Sequence, residues 1–172
     1  MNKLLKAIIE EQYNINIESK EISIYQDIID LGIDLEKLVD DIYDKLEENP
    51  NKELIEVLEY LSNLNYPAAI RKLGLCYYNG VYYKQDYNKV FEYFKKAADF
   101  GNAIAQCNLG VMYEFGEGVD QDLEKAVELY EKCGSETKEL VWFEKGLHSQ
   151  LRITNEERYD EAIVEFLRRI SR

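Results

Sequence analysis

Apolar residues along most of this chain recur three and four positions apart, the spacing that puts them on one side of a helix. Leu4, Leu5, Ile8 and Ile9 give residues 2–13 one apolar side, and Leu35, Leu38, Val39, Ile42 and Leu46 do the same for 34–48, where Asp34 is placed to cap the first turn. The spacing predicts a further helix over 51–64. Beyond Gly134, Ser135 is positioned to cap a helix bearing Leu140, Val141, Phe143 and Leu147. Thr154 with Glu157 forms a capping box before a last helix with Tyr159, Ile163, Phe166, Leu167 and Ile170 on its apolar side and Arg158, Arg168, Arg169 and Arg172 on its polar one. Ile15, Ile17, Ile22 and Ile24 break the pattern by alternating with polar residues. That stretch fits a short hairpin or, from Ser23 to about 31, a helix with Gln26 closing a capping box and Gly32 ending it. The helix is favoured for 23–31 and residues 14–22 stay open.

The middle of the chain repeats itself at a shift of 36. Leu73-Gly74 falls on Leu109-Gly110, Ala69 on Ala105, Tyr77 on Tyr113, Gly80 on Gly116, Gln85-Asp86 on Gln121-Asp122 and Lys89 on Lys125. Each unit predicts a helix, a glycine-containing turn and a second helix. Asn102 caps a helix from Ala103 to about Glu114, Gly116 and Gly118 supply the positive φ of a tight turn, and Asp122 caps a helix ending near Lys132. In the first copy Pro67 stands where a first helical residue is tolerated, Asp86 caps the second helix and Gly101 ends it. Gly74 and Gly110 lie inside helices, where glycine costs about 1 kcal/mol relative to alanine, an acceptable loss if a partner helix needs that space. Shifting by 36 again places Leu54, Leu58, Leu61 and Asn65 on Val90, Phe94, Ala97 and Gly101, so 34–66 is expected to be a degenerate third unit.

The run Ala105, Leu109, Gly110, Tyr113, Gly116, Gly118, Val119, Asp122, Lys125 and Ala126 resembles the Sel-one-like repeat, a relative of the tetratricopeptide repeat. The first copy departs from it: Tyr82 replaces the second turn glycine, Tyr83 the valine and Val90 the alanine. Tyrosine resists positive φ, so this turn is expected to take another shape. The resemblance implies an all-α fold, a short right-handed α-solenoid of helix-turn-helix repeats with extra capping helices at both ends. Its parts would be an N-terminal cap (1–33), the degenerate repeat (34–66), repeat 1 (67–102), repeat 2 (103–134) and C-terminal capping helices (135–172), together one structural domain. It also implies a protein-binding role.

Charge narrows the partner. The net charge is −13, and residues 1–66 carry 16 acidic against 6 basic side chains. Such a field repels a phosphate backbone and attracts a basic protein. No apolar run reaches the length of a membrane span, and the interrupted apolar stretch at the start is too short for an export signal, so a cytoplasmic location is expected. Cys76, Cys107 and Cys133 are odd in number and widely spaced, which argues for small buried hydrophobes over a disulfide framework or a metal site. His148 stands alone, no phosphate-binding, nucleophile-elbow or zinc-protease motif occurs, and neighbouring pairs such as Asp40-Asp41 do not share a helix face. No catalytic, cofactor-binding or metal-binding residue is assigned, and an enzyme is not expected.

What remains is surface. Six tyrosines, Tyr77, Tyr78, Tyr82, Tyr83, Tyr87 and Tyr93, crowd into one short stretch. Tyr77 and Tyr93 are assigned to the core by repeat position. Tyr78, Tyr82, Tyr83 and Tyr87, with Asp40, Asp41 and Asp44, are the candidate partner-binding residues, since tyrosine is enriched at binding hot spots. Packing on the degenerate unit is the alternative for the tyrosines. Two functions fit: an acidic inhibitor or immunity protein that neutralises a basic protein toxin or effector domain, and a scaffold or adaptor assembling a signalling, secretion or quality-control complex. The second would bind along the first helices of the repeats, at Arg71, Lys72, Gln106 and Asn108.

Overall fold

The structure, a computed structural model, describes residues 3–14 and 25–132, and all its regular elements there are helices. In chain order they are α1 (Lys3–Tyr13), α2 (Gln26–Ile29), α3 (Leu35–Glu48), α4 (Lys52–Asn63), α5 (Pro67–Asn79), α6 (Tyr87–Asp99), α7 (Ala103–Phe115) and α8 (Leu123–Lys132). The helices expected after Ser135, and the choice left open for 15–22, lie outside the described residues. The helix expected from Ser23 is shorter: α2 begins at Gln26 with no side-chain cap, and Gly32 follows it at φ 81°.

The caps behave as the sequence dictates. The Oδ1 atoms of Asp34, Asp86, Asn102 and Asp122 accept from the backbone N–H groups of Lys37 (3.0 Å), Lys89 (3.2 Å), Ala105 (2.8 Å) and Lys125 (3.1 Å). Each satisfies one of the donors a helix start leaves unpaired. Asn51 caps α4 in the same way, accepting from Leu54 N at 2.9 Å.

Packing runs along the chain, α5 on α6, α6 on α7 and α7 on α8, with α4 on α5 and α1 on α4. One continuous core of Leu5, Ile9, Ile28, Leu38, Leu46, Leu58, Leu61, Leu73 and Phe94 joins the N-terminal helices to the first repeat. Within each repeat the two helices meet at an aromatic ring on a glycine. A Cβ on Gly74 would lie 2.7 Å from two ring carbons of Phe94, and one on Gly110 would lie 2.8 Å from Tyr130 Cε1. Phe94 and Tyr130 are themselves 36 positions apart, so the contact is a property of the repeat.

The loops repeat their closing hydrogen bonds. Val81 N and Glu117 N donate to Cys76 O and Met112 O, and Asp86 N and Asp122 N to Tyr77 O and Tyr113 O. The Gln85 and Gln121 side chains each donate to a carbonyl near the end of the preceding helix, Tyr78 O and Glu114 O, both at 2.7 Å. Tyr82 adopts φ 65°, matching Gly118 at 69°. The expectation of a differently shaped first turn is therefore wrong: the hydrogen bonds that close the loop outweigh the cost of about 1–2 kcal/mol for a left-handed tyrosine.

The joint between units is also reiterated. Tyr66 N donates to Leu61 O as Asn102 N does to Ala97 O, and Asn65 (φ 60°) stands in the left-handed region as Gly101 (φ 84°) does. That register covers α4 but not α3, which is joined to α4 by Asn49-Pro50-Asn51 where the repeats have the longer loop 80–86.

Replacing Gly110 with alanine should lower stability by about 1–3 kcal/mol despite the better helix propensity of alanine, because the buried Tyr130 ring has to move. Urea unfolding of Gly110→Ala checks this, and a stabilised variant would contradict it.

Candidate functional site

Direct contacts link the candidate residues in three groups. The first is a stack on the flank of α4. Tyr83 lies flat on Tyr77, with centroids 4.3 Å apart and planes at 6°, and Tyr77 stacks on Tyr93 at 5.6 Å. The Tyr83 hydroxyl donates to Glu59 Oε1 at 2.6 Å, tying the turn to α4. Burial, and then the bond to Glu59, raises the Tyr83 phenol well above its usual range. Tyr82 meets Tyr83 edge to face at 5.0 Å and is itself 41% exposed. On α4 the side chains of Glu53, Glu56 and Glu59 are exposed, and Lys52 pairs with Glu56 at 3.5 Å.

The second group sits between the repeats. Tyr78 and Tyr87 form an edge-to-face pair at 5.7 Å, and the Gln85 side chain bridges them. Burial, then the nearby Glu117 carboxylate, pushes the Tyr78 phenol up to about 12 and raises Tyr87 as well. A Cβ on Gly118 would collide with the Tyr87 carbonyl. The second turn is therefore seated directly on the backbone at the start of α6.

The third group holds α3 against α5. Lys72 Nζ lies 2.9 Å from Asp40 Oδ1 and 4.5 Å from the centre of the Tyr43 ring. The Tyr43 hydroxyl accepts from Asn79 Nδ2 at 2.9 Å, and that amide also reaches Glu47 at 3.4 Å. Asp40 thus has a structural partner, whereas Asp41 is half-buried and Asp44 is exposed on the same helix.

The row expected along the first helices is not an open surface. Arg71, Lys72 and Asn108 are 4%, 7% and 4% exposed, and Gln106 is half-buried. Nor are the cysteines all inert. Cys76 is free and buried, its thiol pushed up to about 12 by burial and then by Glu47, but Cys107 is disulfide-bonded. The expectation drawn from odd number and wide spacing fails at Cys107, because sequence separation does not limit spatial distance. Among the described residues no group of three metal-ligating side chains converges and no helix is long and apolar enough to cross a membrane. Sequence reasoning missed Glu59 and Glu117 as the carboxylates facing the tyrosines. Both lie far along the chain from Tyr83 and Tyr87, and no short-range signal marks them.

Stacked hairpins with a common loop and a common joint define a helical-repeat protein of the α-solenoid class. Residues 67–102 and 103–132 each match the Sel1 repeat model. This stretch is thus a pair of Sel1 repeats, a protein-binding module.

Among curated proteins, it is 37% identical over 84 residues to rat DAP3-binding cell death enhancer 1 (49% of this chain, 16% of that protein). It is 37% identical over 78 residues to the chitin synthase regulator SKT5 of Saccharomyces cerevisiae (42% and 11%). The matched stretch is thus a small part of each relative. Among solved structures, a Sel1 repeat protein from Oxalobacter formigenes superposes with a TM-score of 0.52 at 24% identity, over 62% of this chain and 44% of that one. The protective antigen c5321 of uropathogenic Escherichia coli, which displays the same fold, gives 0.51 at 20% identity over 67% and 27%. These two likenesses speak to fold alone.

The tyrosine environments give an alkaline signature. For a phenol raised in the folded state, the stability it contributes is whole below the ordinary value near 10 and is lost as pH climbs from there through the folded value. Tyr66 and Tyr78, both pushed up to about 12 chiefly by burial, therefore predict stability falling from about pH 10. Phenolate absorbance followed beside circular dichroism should show late-ionising tyrosines that titrate only with unfolding. Normal titration of all fourteen tyrosines in the folded protein would contradict this.

Proposed function

We propose that this chain is a non-catalytic adaptor that holds a basic protein against the acidic flank formed by α4 and the turn at 80–83. The observation that carries the reading is Tyr82, exposed and left-handed where the sister repeat has glycine, and joined through Tyr83 to Glu59 of the acidic α4. The loop's hydrogen bonds carry the backbone cost of this tyrosine but give no reason for its exposed ring, and binding is one such reason. The printed names of the relatives, a DAP3-binding protein and a regulator of chitin synthase, describe proteins that act on other proteins, which supports the adaptor form.

The sharper form, an inhibitor neutralising a basic toxin, is favoured by one observation, the concentration of negative charge in residues 1–66. One dominant partner held at nanomolar affinity would select it, and several partners near micromolar affinity would select the adaptor.

Cross-linking with a lysine-reactive reagent tests the surface. Partner links should concentrate on Lys52 and Lys84, which flank the turn, and links confined to Lys95, Lys96 and Lys132 would refute the assignment. Association should also slow by about tenfold as salt rises from about 0.01 to about 0.1 M, because the Debye length contracts from about 30 to about 10 Å over that range.

A further inference from the structure

The fold uses one device repeatedly: a lysine ammonium placed over a tyrosine ring. Lys89 Nζ lies 5.1 Å from the centre of Tyr77, and Lys125 Nζ lies 5.2 Å from Tyr113, at equivalent positions of the two repeats. Lys72 over Tyr43 is a third instance. Such pairs are attractive because the ring face is the negative end of its quadrupole.

Tyr82 lacks such a partner among the described residues, although it is the most exposed of the tyrosines in this cluster. Its contact with Tyr83 is edge to face at 90°. In that geometry one ring presents an edge to the other's face, so Tyr83 covers at most one face of Tyr82. The backbone here also differs from its counterpart in how near it can come to the preceding unit. Gly118 approaches the Tyr87 carbonyl so closely that a Cβ would collide, and a tyrosine at the same φ cannot make that approach. Tyr82 therefore projects outward from a turn whose backbone is otherwise that of the sister repeat. Tyr83, which Tyr82 meets, is bonded to Glu59 of α4, a helix that also exposes Glu53 and Glu56, the latter paired with Lys52.

We infer that the open face of Tyr82 is a seat for an arginine of the basic partner, with the α4 carboxylates pairing the same segment. Arginine fits better than lysine because a planar guanidinium stacks on the ring while its edge stays available to a carboxylate. This assignment rests on the docking surface proposed above and adds the residue that reads the partner's side chain.

The test uses a defined probe, a short peptide alternating arginine and glycine, titrated into the full chain by calorimetry. Controls carry lysine or uncharged citrulline in place of arginine. Tyr82→Gly is expected to fold, since glycine occupies the equivalent position at φ 69°. It should weaken arginine-peptide binding by about fivefold or more. Tyr82→Phe should stay within about twofold of the parent, Tyr82→Leu should behave like Tyr82→Gly, and the lysine peptide should bind the parent more weakly than the arginine one.

Full affinity in Tyr82→Leu or Tyr82→Gly would overturn the cation seat, as would loss in Tyr82→Phe. If Glu53→Lys with Glu56→Lys abolishes binding while Tyr82→Gly does not, the seat is wrong and the acidic surface stands. If the parent ignores the arginine peptide, or neither set of variants alters its binding, both readings fall.

Discussion

The contact on which each repeat depends is an aromatic ring laid on a helical glycine, Phe94 on Gly74 and Tyr130 on Gly110. A ring seated where a Cβ would stand brings the second helix nearer than two side-chain layers allow, and close packing converts that approach into a fixed separation. The loop follows from it. With the helices held at this distance, the short connection closes only when two of its residues are left-handed, which is why positive φ recurs at 80 and 82 and at 116 and 118. The Tyr130 hydroxyl, donating to Glu114 Oε2 at 2.7 Å, fixes its ring in place as well.

The next constraint acts between units. Gly118 seats the second turn against the Tyr87 carbonyl, and Asn102 satisfies the start of α7, so repeat 2 is locked to repeat 1 by backbone. Repeat 1 shares that backbone joint with α4 but adds to it where no glycine turn can seat. There the added link is made by side chains: Tyr83 to Glu59, Lys72 to Asp40 and Tyr43, and Asn79 to Tyr43 and Glu47. Because α3 reaches α4 through Asn49-Pro50-Asn51 alone, this end of the stack has no glycine loop, and polar bonds from long side chains replace the backbone contact.

This difference explains what is visible in the sequence. The repeat, its caps and its buried stripe are legible because each depends on residues a few positions apart or on the shift of 36. The left-handed Tyr82 is misjudged because a local rule about φ competes with the loop's hydrogen bonds, which cannot be counted before the turn is drawn. The row Arg71, Lys72 and Asn108 is misplaced for a similar reason. Polar character marks a surface only if nothing packs over it, and here Lys72 lies between Asp40 and Tyr43, partners on α3 that are remote in sequence. Cys107 illustrates the same limit: spacing in the sequence says little about which sulfurs meet. The candidate tyrosines stand out as departures from the repeat, yet their division into a stack on α4 and a pair between repeats depends on Glu59 and Glu117, which no pattern announces.

Departure from a repeat is informative because the repeat itself states what folding requires. Gly118 shows that this backbone is satisfied by glycine, so a tyrosine at the equivalent position is not demanded by the turn. Tyr83 differs from Tyr82 in this respect. Its ring and hydroxyl are both consumed within the molecule, by Tyr77 and Glu59, and its replacement of a valine is explained by packing alone. For Tyr82 the fold supplies a left-handed backbone and one edge-to-face contact, and leaves the residue 41% exposed. Among the candidate tyrosines and aspartates, Tyr82 is therefore the one whose ring the fold uses least, which is why the proposed docking surface is centred on it.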